Sequence, residues 1–280
     1  MKWRRNAISS VPTGELVLLA NVHTELCYIE HVATDKPKMG KVYLERALSK
    51  LGILSRSQAN AAARAGRVMV DGVVQTDPYA LVTPEMIRIH IDGQPVNTTF
   101  RSKVFLLNKP KQTVCTREDE KSRKTIFDFF QEKGGHFHSV GRLDWATTGL
   151  LLITNDTQIS NYLTDPQSEI PKIYHVTARG EVTEKHAQQL KDGITSKDEL
   201  LIAKDVLIRK ASGKETHLVV TLTEGKNREL RRMFDHIAHE VTALKRIGYG
   251  PLTLPEIESG QYREIPMDEM RKAFPNLVTR

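Results

Sequence analysis

The sequence predicts an α+β protein built from two units, and three observations carry that prediction. Residues 41–95 show two short helical repeats followed by an Asp-Gly hairpin signal. From residue 103 onward, strand-length apolar runs alternate with polar turns and short helical stretches. A polar stretch with Gly and Pro, 93–102, separates the two patterns and reads as a hinge. At 280 residues, the chain can form one or two domains with hydrophobic cores.

Taken in order, residues 1–40 carry no repeat and close on Lys36-Pro37-Lys38-Met39-Gly40, a linker-like stretch. They are expected to be a disordered or loosely attached extension. Lys2, Arg4 and Arg5 ahead of the apolar run 16–20 imitate a secretory signal. That run is short, however, and polar residues flank it, so export is not expected. In 41–95, Leu44, Ala47, Leu48 and Leu51 recur at helical spacing and Gly52 stops the run. Ser55 opens a second helix, with Gln58 completing a capping box. Ala59, Ala62 and Ala63 supply its buried face and Gly66 stands at C′. Val68-Met69-Val70 and Val73-Val74 flank Asp71-Gly72, and Ile87, Ile89 and Ile91 alternate as a last strand. Lys41, Arg46, Lys50, Arg56, Arg64 and Arg67 stand against only Glu45 and Asp71 between positions 41 and 71.

After the linker 96–102, Val104-Phe105-Leu106-Leu107 is a short buried strand that Pro110 ends, with Lys109 reading as a turn lysine. Residues 116–124 are a charged loop, expected to be mobile, and 125–130 a helical turn with Ile126, Phe127 and Phe130 inward. His136 and His138 have HxH spacing without an anchored third ligand, so no metal is expected. Gly141-Arg142-Leu143-Asp144 then runs into Gly149 and an apolar strand, presenting a carboxylate beside a buried strand. Ile159 and Leu163 mark a short helix. Lys172, Tyr174 and Val176 alternate, which puts Lys172 and Tyr174 on one side of a strand. Residues 184–190 are helical, 194–207 mix turn and strand, and 217–223 form a strand. Gly225 permits a tight turn into a helix that buries Leu230, Met233, Phe234 and Ile237. Leu254, Ile257 and Tyr262 are expected to finish the sheet, followed by a helix over 267–274.

Composition bounds the partners. Lys and Arg number 41 against 34 Asp and Glu, a formal net charge of +7, which suits a polyanion without specifying one. Cys27 and Cys115 make neither a disulfide framework nor a CxxC knuckle, so a reducing compartment, the cytoplasm, is expected. No apolar run approaches the ~20 residues a bilayer needs, and no membrane partner is expected.

Two resemblances sharpen this reading. Residues 42–91 resemble the S4 RNA-binding domain, centred on 51–59 and 66–72; the family's second Arg after the Ser is Ser57 here. The resemblance implies that the six basic residues hold RNA through phosphates and shape. Residues 103–270 resemble the RNA pseudouridine synthases of the S4-containing ribosomal RNA branch. The carriers are the GRLD stretch at 141–156, Lys172-Ile173-Tyr174-His175-Val176, and Gly225-Lys226-Asn227-Arg228-Glu229-Leu230-Arg231-Arg232. Asn108-Lys109-Pro110 and Gly248-Tyr249-Gly250-Pro251-Leu252 support them. The resemblance implies a catalytic domain over 103–280, built on a mixed, mostly antiparallel sheet with flanking helices, beside an S4-like domain over 41–95. Ala146, Thr157 and Glu229 stand where relatives usually have an acidic residue, Gly and Gln; Glu229 is expected to weaken an RNA contact or to pair with Arg232.

The activity implied is conversion of a uridine within RNA to pseudouridine, without cofactor or metal. Asp144 is implied as the essential residue, acting on C6 of uracil, at C1′, or on the sugar-derived species. Arg231 is implied to pair with Asp144 through its guanidinium fork and keep it ionised. Tyr174 is implied to stack on the base, Leu230 to wall the pocket, and Arg142 to fill the stack when the base flips out. Lys172, Lys226, Arg228 and Arg232 are implied substrate contacts. The expected partner is structured RNA, ribosomal RNA or a pre-ribosomal particle before tRNA, with no DNA partner and a monomeric enzyme. Two alternatives remain open at this stage. Hydrolysis needs a second fixed carboxylate, and Glu118, Asp119 and Glu120 lie in a charged loop that no motif fixes. A non-catalytic RNA-binding protein would leave Asp144, Tyr174 and Arg231 idle.

Overall fold

The computed structural model of the chain describes residues 41–84, 87–96, 101–117, 119–132 and 136–277. The expected extension, 1–40, and Glu118 lie outside the described residues. The first elements are β1 (Val42–Tyr43), α1 (Leu44–Lys50), α2 (Arg56–Arg64), β2 (Val68–Val70), β3 (Val73–Val74), β4 (Leu81–Val82), β5 (Ile89–Ile91) and β6 (Gln94–Pro95). Ser55 caps α2 as a reciprocal capping box with Gln58, which satisfies two helix-end donors at once. Asp71 and Gly72 both take positive φ, the requirement of the tight turn between β2 and β3. The strands order as β3-β2-β5-β6, all antiparallel, while β1 pairs β4. Leu44, Leu48, Ala59, Ala63, Val68 and Ile89 form their shared core.

The expected hinge at 93–102 is corrected in its first half. Asp92 and Gly93 take positive φ and turn the chain back, so Gln94–Pro95 pairs with β5. Pro95 is tolerated because β6 is an edge strand and needs no ladder N–H there. Farther on, Arg101 and Ser102 are anchored. The Arg101 carbonyl accepts from Asn155 Nδ2 at 3.0 Å, and Ser102 Oγ donates to Asp156 Oδ2 at 2.6 Å.

The larger part runs β7 (Val104–Lys109), a 3-10 turn (Ile126–Asp128), β8 (His138–Ser139), β9 (Thr148–Thr154), α3 (Thr157–Thr164) and β10 (Lys172–Arg179). It continues through α4 (Glu184–Asp192), β11 (Ile194–Ser196), β12 (Glu199–Leu201), β13 (Asp205–Ala211) and β14 (Glu215–Leu222). It ends with α5 (Glu229–His236), β15 (Val241–Tyr249), β16 (Leu252–Thr253), β17 (Tyr262–Ile265) and α6 (Met267–Ala273). One sheet orders β13-β14-β10-β15-β9-β7-β17, with β16 on β15 and β8 on β9. Among the described strands only β9 and β15 pair in parallel, so the sheet is mixed and mostly antiparallel. Leu254 and Ile257 lie outside the described strands, so of the three residues expected to finish the sheet only Tyr262 does.

The sheet is covered on both faces. Phe105 and Leu107 of β7 join one core with Leu151, Ile153 and Phe234, while Val104 and Leu106 join another with Leu150, Leu152, Ile159 and Phe274. Strands buried on both faces read as continuous apolar runs rather than as alternation. That is why 104–107 and 150–153 stand out in the sequence. In the charged loop, the Asp119 carboxylate accepts from Lys121 N, Arg123 N and the Arg123 guanidinium.

Candidate active site

Asp144 sits in the turn that feeds β9. Its carbonyl accepts from Thr147 N at 3.0 Å, and the flanking Trp145 carbonyl accepts from Gln112 N at 2.7 Å. Behind the turn, Lys109 at the end of β7 is fully buried. Its Nζ donates to the carbonyls of Pro110 at 3.0 Å, Thr147 at 2.9 Å and Asp144 at 3.3 Å. Burial pushes the Lys109 ammonium down from its ordinary value, and Cys115 and Asp144 oppose that shift. Lys109 is therefore a tether beneath the Asp144 loop, not the surface turn lysine that the sequence suggests. On the other side, Gly149 has φ +99°, and a Cβ there would run into the Arg246 carbonyl oxygen where β9 meets β15. Only glycine permits that close parallel approach.

The Asp144 side chain is half-buried. Among the described residues it makes no side-chain hydrogen bond or ion pair. It lines a cleft together with Arg142, Tyr174, Leu230, Arg231 and Leu244. Residues from four separate stretches converge there, which sequence order alone does not place together. Tyr174 and Leu230 are buried, and Arg142 is exposed at the mouth. The expected fork between Arg231 and Asp144 is not formed. Arg231 Nη1 instead donates to the Val241 carbonyl at 2.8 Å, and its Nε is buried without a partner among the described residues. The start of β15 lies within reach of this α5 side chain, and its free carbonyl takes the guanidinium. Burial lowers the Arg231 guanidinium from its ordinary value, Arg228 adds to this, and Asp144 offsets it.

A second cleft adjoins the first and shares Arg142, Tyr174, Gly225 and Lys226 with it. Lys172 lines it, on the same face of β10 as Tyr174, as the alternation predicts. Lys172 Nζ donates to the Thr223 carbonyl at 2.8 Å and lies 5.6 Å from the Tyr249 ring centre. Burial lowers its ammonium from the ordinary value, and Arg246 adds to the effect. Arg246 was missed by sequence reasoning. It is buried, with Nε donating to the Leu150 carbonyl at 2.7 Å. The one available signal is a basic residue two positions from Leu244, which becomes meaningful only once the register of β15 is known.

The segment 226–232 is divided. Lys226 and Arg228 line the first cleft, Arg228 with φ 47° at the N-cap of α5. Lys226 Nζ pairs with Glu224 and donates to the Leu200 carbonyl. Arg232 points elsewhere. It pairs with Glu199 at 2.5 Å and donates to the Ser196 carbonyl, fastening α5 to the β11–β12 hairpin. Glu229 does not pair with Arg232. Its Oε2 accepts from Lys226 N at 2.9 Å and closes the turn into α5, and burial pushes its carboxyl up. Asp156, buried nearby in sequence, is the N-cap of α3.

In the smaller unit the basic residues are spread. Arg67 forms a 2.5 Å ion pair with Asp92, Arg46 lies over the Tyr43 ring, and Arg64 Nε donates to Asn60. Arg56 is exposed at the start of α2, beside its capped N-terminus. His136 and His138 take structural places. His136 N donates to the Gly52 carbonyl at 2.5 Å and His138 Nε2 contacts Ser160 Oγ at 3.0 Å. No described helix is long and apolar enough to cross a membrane.

Comparison with known proteins follows this division. The family described as RNA pseudouridylate synthase matches residues 103–236, and the S4 domain matches residues 44–87. An uncharacterized RNA pseudouridine synthase of Aquifex aeolicus (strain VF5) is 33% identical over 238 residues, covering 84% of this chain and 95% of that protein. Ribosomal large subunit pseudouridine synthase B of Bacillus subtilis (strain 168) is 34% identical over 231 residues, covering 82% and 94%. A solved structure, a crystal structure of pseudouridylate synthase, superposes with a TM-score of 0.60 at 30% identity, covering 83% of this chain and 99% of that one.

Proposed function

Because the chain belongs to the RNA pseudouridine synthases that carry an S4 domain, we propose that it isomerises a specific uridine of ribosomal RNA, with Asp144 as the reacting residue. Large-subunit RNA is the first choice, since that is the substrate named for the Bacillus subtilis relative. Residues 41–95 act as the RNA-binding S4 domain, 96–102 as a linker and 103–280 as the catalytic domain, with 1–40 an extension. The enzyme works as a monomer on a cytoplasmic pre-ribosomal particle.

The reaction breaks the N1–C1′ bond, reorients the base and joins C5 to C1′. The C5 proton is lost and N1 gains one, so the product is an isomer and nothing is oxidised. The observation that carries the reading is Asp144, whose carboxylate faces a cleft with no side-chain partner while Lys109 ties its backbone from behind. A carboxylate held in this way is free to act on C6, on C1′, or on the sugar-derived species. Arg231 lines the same cleft and places a cation beside the carboxylate. Tyr174 stacks on the uracil, Leu230 closes the apolar wall and Arg142 fills the vacated stack. Lys172, Lys226 and Arg228 hold the backbone, while Arg232 supports them by fixing α5. Lys41, Arg46, Lys50, Arg56, Arg64 and Arg67 grip structured RNA by shape.

Site-by-site pseudouridine mapping of total RNA, from cells with and without this gene, tests the proposal. A single ribosomal site should vanish and return with the intact gene. An unchanged map would overturn the ribosomal assignment, and a lost site in tRNA would redirect it.

A further inference from the structure

The second cleft holds a buried cation, Arg246, that the reading at Asp144 leaves without a role. Lys172 and Arg246 both line it, and both are more than nine-tenths buried. Cations at that depth are normally matched by a carboxylate. Here Lys172 has a backbone carbonyl, Thr223, and Arg246 has Leu150. The Tyr249 ring lies 5.6 Å from Lys172 Nζ and 5.1 Å from Arg246 Cζ. Arg246 Nη2 is buried and, among the described residues, has no partner. The acids nearby are occupied. Glu224 at the rim pairs with Lys226, and Glu229 accepts from Lys226 N. Arg142 and Lys226 add two more cations to the lining.

We infer that this cleft is an anion subsite in which Lys172 and Arg246 receive a backbone phosphate of the RNA next to the target uridine. The inference rests on the proposed reaction at Asp144. Three features select a phosphodiester. The subsite adjoins the Asp144 cleft, and Arg142 and Tyr174 belong to both. Lys172 stands one same-face step along β10 from Tyr174, about 7 Å on a strand, so a base on Tyr174 brings its own backbone beside the ammonium. Finally, Arg246 is held at Nε and stacked on a ring, which leaves a fixed Nη2 donor for an oxygen acceptor. Burial first, and then the like charge of Arg246, lower the Lys172 ammonium, and a phosphate beside the two cations would offset that repulsion.

The test uses the full-length protein and a synthetic RNA hairpin containing the uridine found by mapping. One neutral methylphosphonate linkage is walked through the positions flanking that uridine. At one position the native protein should show KM raised about tenfold with kcat within twofold. Lys172→Met and Arg246→Met should bind the charged RNA more weakly and lose the discrimination, with KM for the two RNAs within twofold. Each should also flatten the dependence of log K on log salt by about 0.7–0.9. Lys245→Met, on the exposed side of β15, should keep the full discrimination. If Arg246→Met does not fold, Lys172→Met and the linkage walk decide. A protein that forms pseudouridine with equal KM at every neutral linkage overturns the subsite alone. Discrimination retained in Lys172→Met overturns the residues assigned. No pseudouridine in the all-phosphate hairpin overturns the reaction and the subsite together.

Discussion

Lys109 and Lys172 are both buried strand lysines, neither has a carboxylate partner among the described residues, and burial lowers both ammonium groups. Their surroundings nevertheless differ in kind. Lys109 is sealed and spends its donors on three backbone carbonyls around the Asp144 turn. Lys172 has one carbonyl and a cleft beside it. A buried ammonium with its donors filled is a structural tether, whereas one left partly filled at a cleft wall is available to a ligand. The residue type does not distinguish the two cases; the number of carbonyls within reach does.

Predictions that break or sharpen this contrast begin with the residue Lys109 holds. Asp144→Asn should abolish pseudouridine formation, a loss beyond about 10³-fold, with unfolding unchanged; nucleoside chromatography after incubation with ribosomal RNA reads it. Normal turnover would remove the basis of the site. Next, Arg231→Met should lower kcat about 100-fold, because the guanidinium lining the same cleft as the carboxylate is gone. Arg231→Lys should recover part of that loss, since no two-pronged contact is formed. Third, Lys109→Met should cost about 1–3 kcal/mol in urea unfolding by stranding three carbonyls. Lys172→Met strands one carbonyl at a cleft wall, so it should cost less and act on KM instead. Equal destabilisation by the two would dissolve the contrast.

The smallest effect concerns a group that answers burial in a third way. His136 is held down to about 4 by burial, with Arg117 and His138 adding to it. The folded protein therefore keeps the ring neutral where the unfolded chain, titrating near 6.5, takes up a proton. Stability is fully present above about pH 6.5 and declines as pH falls toward 4. The half-exposed position screens the effect to about 1 kcal/mol or less. Replacing His136 by Phe should flatten that part of the stability–pH curve, and an unchanged slope would assign it to other groups.

Much of this protein was readable before any coordinates. The Ser55–Gln58 capping box and the Asp71-Gly72 turn are local chemistry, complete within four residues, and both formed as expected. The shared face of Lys172 and Tyr174 followed from the period of two. Asp92-Gly93 carried the same turn signal as Asp71-Gly72, but the nearby Pro95 drew the reading toward a hinge. An edge strand accepts that proline, and edge position is not a local property.

The sequence by itself determined the α+β class, the two units, the family and the residues around the first cleft. All of these rest on short-range periodicity or contiguous motifs. Folding decided where the long cationic side chains end. It turned Lys109 inward, gave Arg231 to the Val241 carbonyl rather than to Asp144, and spent Arg232 on the hairpin. It also set Arg246 beside Lys172 without an acid between them. The physical reason is reach: a lysine or arginine head sits several bonds from its backbone and takes whichever carbonyl or carboxylate the neighbouring strand brings. For the stretch 141–156, the motif marks the carboxylate, and the pairing of β7, β9 and β15 holds it in the cleft.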